Sequence, residues 1–155
     1  MSPLGPFRNE PVLELRRAAA REQLQAGMAA LERKLPLRVP MWIGGEERHG
    51  DALVSTDPGH PERVVAHAAM ATESDVDAAV RAATEAFPAW SRTPAERRAE
   101  ILVRAADWLR RNRAMLAALE VRECAKPWGE ADADVCEAID FCEYYAREAL
   151  SLIHI

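Results

Sequence analysis

A chain of 155 residues with a formal net charge of −5 has the length of one ordinary domain, by the guide of ~100–200 residues per domain. Lys and Arg are interspersed with Asp and Glu, so the clustered basic patch of a nucleic-acid footprint is absent, and no apolar run approaches the ~18 residues that span a bilayer. Apolar residues make up 49%, but alanine supplies much of that share and buries little area per residue, so the core this chain can build alone is expected to be thin.

Residues 1–11 lack a charged segment followed by an apolar stretch, which excludes a secretory signal and points to the cytoplasm. Cys124, Cys136 and Cys142 are odd in number and read as free thiols. His49, His60, His67 and His154 form no ligand pair at zinc-like spacing, so no metal site is expected.

In chain order, Pro3, Gly5, Pro6 and Pro11 predict an extended arm over residues 1–12. From about Leu13 to Leu35 the pattern is helical, with Leu24, Met28, Leu31 and Leu35 on one stripe and Pro36 as the stop. Val39–Ile43, followed by Gly44-Gly45, and Arg63–Ala69, preceded by a turn-rich segment, predict two short strands with Trp42 and Val65 as their packing residues. Helices dominate thereafter. Thr72 and Asp75 make a capping box; Val76, Ala79, Val80, Ala83 and Phe87 make a buried stripe, and Pro88 closes the helix. Thr93, Pro94 and Glu96 mark the next start, with Ile101, Ala105, Trp108 and Leu109 lining that helix. Asn112 is a candidate break before a short helix around Met115, Leu116 and Leu119. After Pro127 a last helix runs from about Gly129 to Leu150. The expected product is mainly α-helical with a short two-strand β element. An isolated strand pair is marginal in water, so these strands look for partners outside the chain.

The last helix carries the chemistry. At ~100° per residue, Ala131, Val135, Ala138, Ile139, Cys142, Tyr145 and Ala149 gather on one buried stripe, while Glu137, Phe141 and Tyr144 lie on a different side. Glu137 reads first as one solvated carboxylate among many; the alternative is that it receives an ammonium group through charge-assisted hydrogen bonds. Cys142 falls in the buried stripe and Cys136 toward the polar side. Neither has a histidine base nearby in sequence, which argues against a nucleophile. The pairs Asp132 with Asp134 and Asp140 with Glu143 read as solvated charge.

Several stretches resemble one family. Phe7-Arg8-Asn9-Glu10-Pro11 and Ile43-Gly44-Gly45-Glu46 are similar to the opening and a glycine turn of bacterial glutamate-γ-semialdehyde (pyrroline-5-carboxylate) dehydrogenases. Asp75–Val80, Ala86-Phe87, Trp90-Ser91 and Glu96–Leu102 resemble helices of aldehyde dehydrogenases generally. The run Glu137-Ala138-Ile139-Asp140-Phe141-Cys142-Glu143-Tyr144-Tyr145-Ala146-Arg147 resembles the semialdehyde branch in particular. Ala125 departs from the glycine usual in that family.

The resemblance implies an α/β parent with a Rossmann-like NAD domain, a catalytic domain and an oligomerisation flap, and so a homo-oligomer acting on a small-molecule substrate in proline catabolism. Residues 13–150 would be the N-terminal part of the NAD-binding domain. The family's cysteine nucleophile, base glutamate, oxyanion asparagine and glycine-rich cofactor turn match nothing here. The chain is therefore expected to be an inactive N-terminal fragment, with no catalytic, NAD-binding or metal residue of its own. One role carries over: Glu137 matches the family glutamate that recognises the substrate amino group. Fusion to a proline dehydrogenase occurs in the family, but Met1 directly before the opening motif favours a stand-alone enzyme. Ser151–Ile155 resemble the translated end of a transposase adapter and are expected to be non-native. A self-contained helical binding module, or an aldehyde dehydrogenase of other specificity, are the alternatives.

Overall fold

The computed structural model describes residues 4–151. The first three residues of the expected arm, and residues 152–155 of the expected non-native tail, lie outside the described residues. The chain divides into two compact units, residues 1–33 with 94–155, and residues 34–93.

The first unit is helical: α1 (Ala18–Glu32), α3 (Ala95–Cys124) and α4 (Trp128–Ser151), the intervening α2 belonging to the second unit. Helix α1 starts five residues later than the periodicity predicts. Its entry is diverted because the Leu13 amide donates to Asp132 Oδ2 at 2.8 Å. Leu13 and Leu15 consequently pack on the core as part of an irregular arm. Leu24 and Leu31 are buried as expected.

The predicted break at Asn112 does not occur. Asn112 Nδ2 donates to the Trp108 carbonyl at 2.9 Å, back along its own helix, and α3 runs unbroken for 30 residues. The expected Thr93 cap is also displaced. Pro94 occupies the cap position without a side-chain bond, and Thr93 Oγ1 donates backward to the Ala89 carbonyl.

Leu24, Ala106, Ala117, Ala131, Val135 and Ile139 form the main core, and Ala99, Ala146 and Leu150 a second cluster. Alanines line much of both, and they let the helix axes come close. The contact of α1 with α3 is closer still: a Cβ on Gly27 would lie 2.4 Å from the backbone of Ala114.

The second unit holds five strands where two are predicted: β1 (Leu37–Val39), β2 (Met41–Ile43), β3 (Glu46–Arg48), β4 (Ala52–Asp57) and β5 (His60–Ala69). The run expected as one strand over Val39–Ile43 is divided at Pro40, which has no amide to donate, and its halves enter different sheets. Strand β1 pairs in parallel with β5, which pairs antiparallel with β4; β2 and β3 form a separate hairpin. Gly44 and Gly45 close that hairpin with φ of 62° and 85°, the sign a two-residue hairpin turn demands. Val65 is fully buried as predicted, but Trp42 is 66% exposed.

Helix α2 (Glu73–Trp90) begins with the expected capping box of Thr72 and Asp75. It continues through Pro88, because losing one amide in the last turn does not stop Ser91 N from reaching the Phe87 carbonyl at 2.8 Å. Its expected stripe is not buried: Val76, Val80 and Phe87 are exposed, and no residue of α2 is buried. Arg48 reaches Asp75 at 3.4 Å, joining the hairpin to the start of this helix.

Two substitutions test this packing in opposite directions. On helix propensity alone Gly27→Ala would stabilise by about 1 kcal/mol. The backbone approach of Ala114 reverses the sign, so a loss of about 1–3 kcal/mol is expected in urea denaturation. Ala125, which follows α3, adopts φ 54°, a left-handed conformation that costs a non-glycine residue about 1–2 kcal/mol. Ala125→Gly is therefore expected to raise the denaturation midpoint; an unchanged or lower midpoint contradicts the strain.

Candidate functional site

Helix α4 presents three stripes with different tasks. The first is apolar, with Ala131, Val135, Ile139, Ala146 and Leu150 buried. Tyr145, expected in it, is exposed instead. Cys142 and Ala149 are only half-buried.

The second stripe clasps the arm. Arg113 of α3 makes a two-pronged bond to Asp132, Nε to Oδ1 at 2.6 Å and Nη2 to Oδ2 at 2.7 Å. The same Nη2 donates to the Pro11 carbonyl at 3.0 Å. Asp132 is 1% exposed, so the expectation that it is solvated charge is wrong. The misreading comes from treating α4 alone: the partner guanidinium arrives from another helix. The bonds it donates to Asp132 raise the Arg113 pKa above its ordinary value, against the opposing cost of desolvation.

Further along, Asp140 accepts from Asn9 Nδ2 at 2.7 Å and from the Glu10 amide at 2.6 Å. Arg147 Nε donates to the Gly5 carbonyl at 2.8 Å. Glu143 lies between Arg110 at 2.8 Å and Arg147 at 2.6 Å. Burial alone would raise the Glu143 pKa, but hydrogen bonds from Arg147 and Arg110 outweigh it and lower the value. The Asp140 and Glu143 carboxylates are thus fastenings of the arm and of α3, not free surface charge.

The third stripe holds Glu137, exposed, with exposed Phe141 one turn on. Among the described residues the Glu137 carboxylate has no ion-pair or hydrogen-bond partner, in contrast to those of its committed neighbours Asp132, Asp140 and Glu143. Phe141 stacks on Tyr145 with ring centroids 5.9 Å apart and planes 11° from parallel. The sequence reading placed Glu137, Phe141 and Tyr144 together but missed Tyr145, whose assignment to the buried stripe masked it.

The cysteines are all free. Cys136, expected toward the polar side, is buried with its thiol directed to the Pro11 carbonyl. Burial, first, pushes its pKa up to about 11, with the guanidinium of Arg113 opposing. Burial likewise raises that of Cys142. A thiol so shifted holds little thiolate at neutral pH and makes a poor nucleophile. Among the described residues no group of three or more His, Cys, Asp and Glu side chains is placed to hold a metal ion, and no helix is long and apolar enough to cross a membrane. A cavity of about 340 Å³ is lined by Leu4, Ala99, Val103 and Leu150 with Glu96, Glu100 and Arg104 around them; Glu137 is not part of its lining.

Short exposure to iodoacetamide at pH 7.4 should therefore modify Cys124, which is exposed, well before Cys136. Mass-spectrometric mapping showing equal rates at the two would contradict the burial and the raised thiol pKa.

A model of the aldehyde dehydrogenase family matches residues 42–154. The chain is 43% identical over 148 residues to a 1-pyrroline-5-carboxylate dehydrogenase of Geobacillus kaustophilus, covering 95% of this chain and 29% of that protein. Its fold superposes on the NAD-bound crystal structure of a 1-pyrroline-5-carboxylate dehydrogenase from Thermus with a TM-score of 0.92 at 40% identity, covering 96% of this chain and 29% of that one. It also superposes on proline utilization A from Bdellovibrio bacteriovorus with a TM-score of 0.91 at 37% identity, covering 98% of this chain and 16% of that one. The chain thus spans about 29% of the length of the curated relatives it matches.

Proposed function

Because the chain belongs to the aldehyde dehydrogenase family, we propose that it is the N-terminal part of an NAD-dependent enzyme that oxidises L-glutamate γ-semialdehyde, formed by opening of 1-pyrroline-5-carboxylate, to L-glutamate in proline degradation. In this reading residues 1–12 are its arm and 13–150 open its NAD-binding domain. The whole enzyme is a cytoplasmic homo-oligomer, and this part supplies recognition without chemistry.

The observation that carries the reading is the Glu137 carboxylate, exposed and uncommitted on a helix whose other central acids are fastened. An ammonium group brought against it gains charge-assisted hydrogen bonds that a plain aldehyde cannot make. Glu137 thus selects amino-acid aldehydes by the difference between a satisfied and an unsatisfied charge. The 1-pyrroline-5-carboxylate dehydrogenases among its relatives support the same substrate. Helix α2, with no buried residue, speaks against a binding module complete in itself.

The starts of helices α2, α3 and α4 do not suit the phosphates of a dinucleotide. A phosphate needs a helix start with free amides and no competing negative charge, whereas the first turns of α2, α3 and α4 carry Glu73 with Asp75, Glu96 and Glu130, whose carboxylates repel an anion. No cysteine here is set up as a nucleophile. Binding of NAD and the oxidation itself therefore belong to other residues of the whole enzyme.

In the enzyme expressed from the full reading frame that contains this chain, Glu137→Ala is expected to lower kcat/KM for glutamate γ-semialdehyde about tenfold or more. Glutarate semialdehyde, the same carbon chain without the amino group, should be little affected. Equal losses for both aldehydes would falsify the assignment of Glu137. The 155-residue chain alone should form no NADH from 1-pyrroline-5-carboxylate.

A further inference from the structure

Four aromatic rings run in continuous contact from the arm to the helical turn after Glu137. Phe7 meets Tyr144 edge to face at 5.6 Å between centroids. Tyr144 meets Tyr145 edge to face at 5.4 Å, and Tyr145 stacks on Phe141 at 5.9 Å. Phe7 is held on both sides. Arg147 grips the Gly5 carbonyl before it, and Asp140 grips Asn9 and Glu10 after it. The chain of rings therefore has one fixed end.

Its other end is open. Phe141 is 50% exposed and Tyr145 55%. Phe141 follows Glu137 by four residues on α4, a spacing that brings helical side chains to about 5–6 Å between Cβ atoms. An aromatic face carries negative charge density that attracts a cation, and the attraction strengthens as water is excluded. A carboxylate and an aromatic ring one turn apart thus form a two-sided receptor for an ammonium group.

We propose that Phe7 is a positioning residue for substrate recognition: through Tyr144 and Tyr145 it holds the Phe141 ring beside Glu137, so that the ammonium group of an α-amino aldehyde meets carboxylate and ring together. The proposal rests on the reading of Glu137 as the ammonium receptor. It assigns the arm a part in specificity as well as in stability. Phe141 touches the substrate, and Phe7 acts only through the rings between them.

The test uses the full-length enzyme and two aldehydes, glutamate γ-semialdehyde and glutarate semialdehyde, with Glu137→Ala as the reference variant. Phe7→Ala should lower the preference for the amino-bearing aldehyde by about three- to tenfold, through a higher KM with kcat nearly unchanged. Phe7→Tyr, which keeps the ring, should restore the preference. Asp140→Ala, which releases the arm beyond Phe7, should reproduce the loss. Calorimetric titration should show weaker binding of L-glutamate to Phe7→Ala and unchanged binding of glutarate. If Phe7→Ala instead weakens both aldehydes equally, or lowers only thermal stability, its role is structural and the proposal is overturned. If Glu137→Ala alters the preference and Phe7→Ala does not, this proposal fails while the reading of Glu137 stands. If Glu137→Ala itself leaves the preference unchanged, both fall.

Discussion

The buried pair of Arg113 and Asp132 is the constraint on which the helical unit depends. Two charges taken out of water are costly unless each polar atom finds a partner. Here the cost is met by geometry: two short bonds between the pair, a third from the Leu13 amide to Asp132, and a fourth from Arg113 to the Pro11 carbonyl. The arm is thus part of the pair, because without it one oxygen and one guanidinium nitrogen lose a partner. Sliding α4 by one turn against α3 would leave both charges buried and unmatched, an arrangement that costs about 3–5 kcal/mol when a partner is removed. The alanine-rich core alone would define that register poorly, since small side chains interlock less than large ones.

Once the register is set, the rotation of α4 follows. Asp132, Cys136, Asp140, Glu143 and Arg147 face the arm or α3, Ile139 and Val135 face the core, and Glu137 with Phe141 is left outward. The acids of this helix are therefore not equivalent. Those bonded to the arm hold it in place, and the one beside Phe141 is free to meet a ligand. The burial of Cys136 and the half-burial of Cys142 have the same origin, and they make these thiols packing groups instead of reactive ones. Structure and chemistry divide along faces of a single helix, and the division is enforced from its neighbours.

Much of this was legible in the sequence. Leucine spacing found α1, and the Thr72 box found the start of α2. The run from Glu137 to Arg147 pointed to the family that the comparisons show. What was not legible depended on distant partners. Asp132 looked solvated because Arg113 lies 19 residues away, and a helical wheel sees only one helix. Strand β3, Glu46-Glu47-Arg48, has no apolar alternation and is defined by the glycine turn and its pairing with β2. Val76, Val80 and Phe87 have a helical period and yet stay exposed, because periodicity says which face is apolar and not whether this chain covers it. Pro88 and Asn112 carry breaker signals that local hydrogen bonding overrides.

The central claim is that Glu137 faces the amino group of the substrate. A crystal structure of the full-length enzyme with L-glutamate bound tests it most directly. The account predicts the ligand nitrogen within about 2.7–3.2 Å of a Glu137 carboxylate oxygen, with the Phe141 ring alongside. A bound glutamate whose ammonium group is held by other residues, with Glu137 turned to solvent, would contradict it.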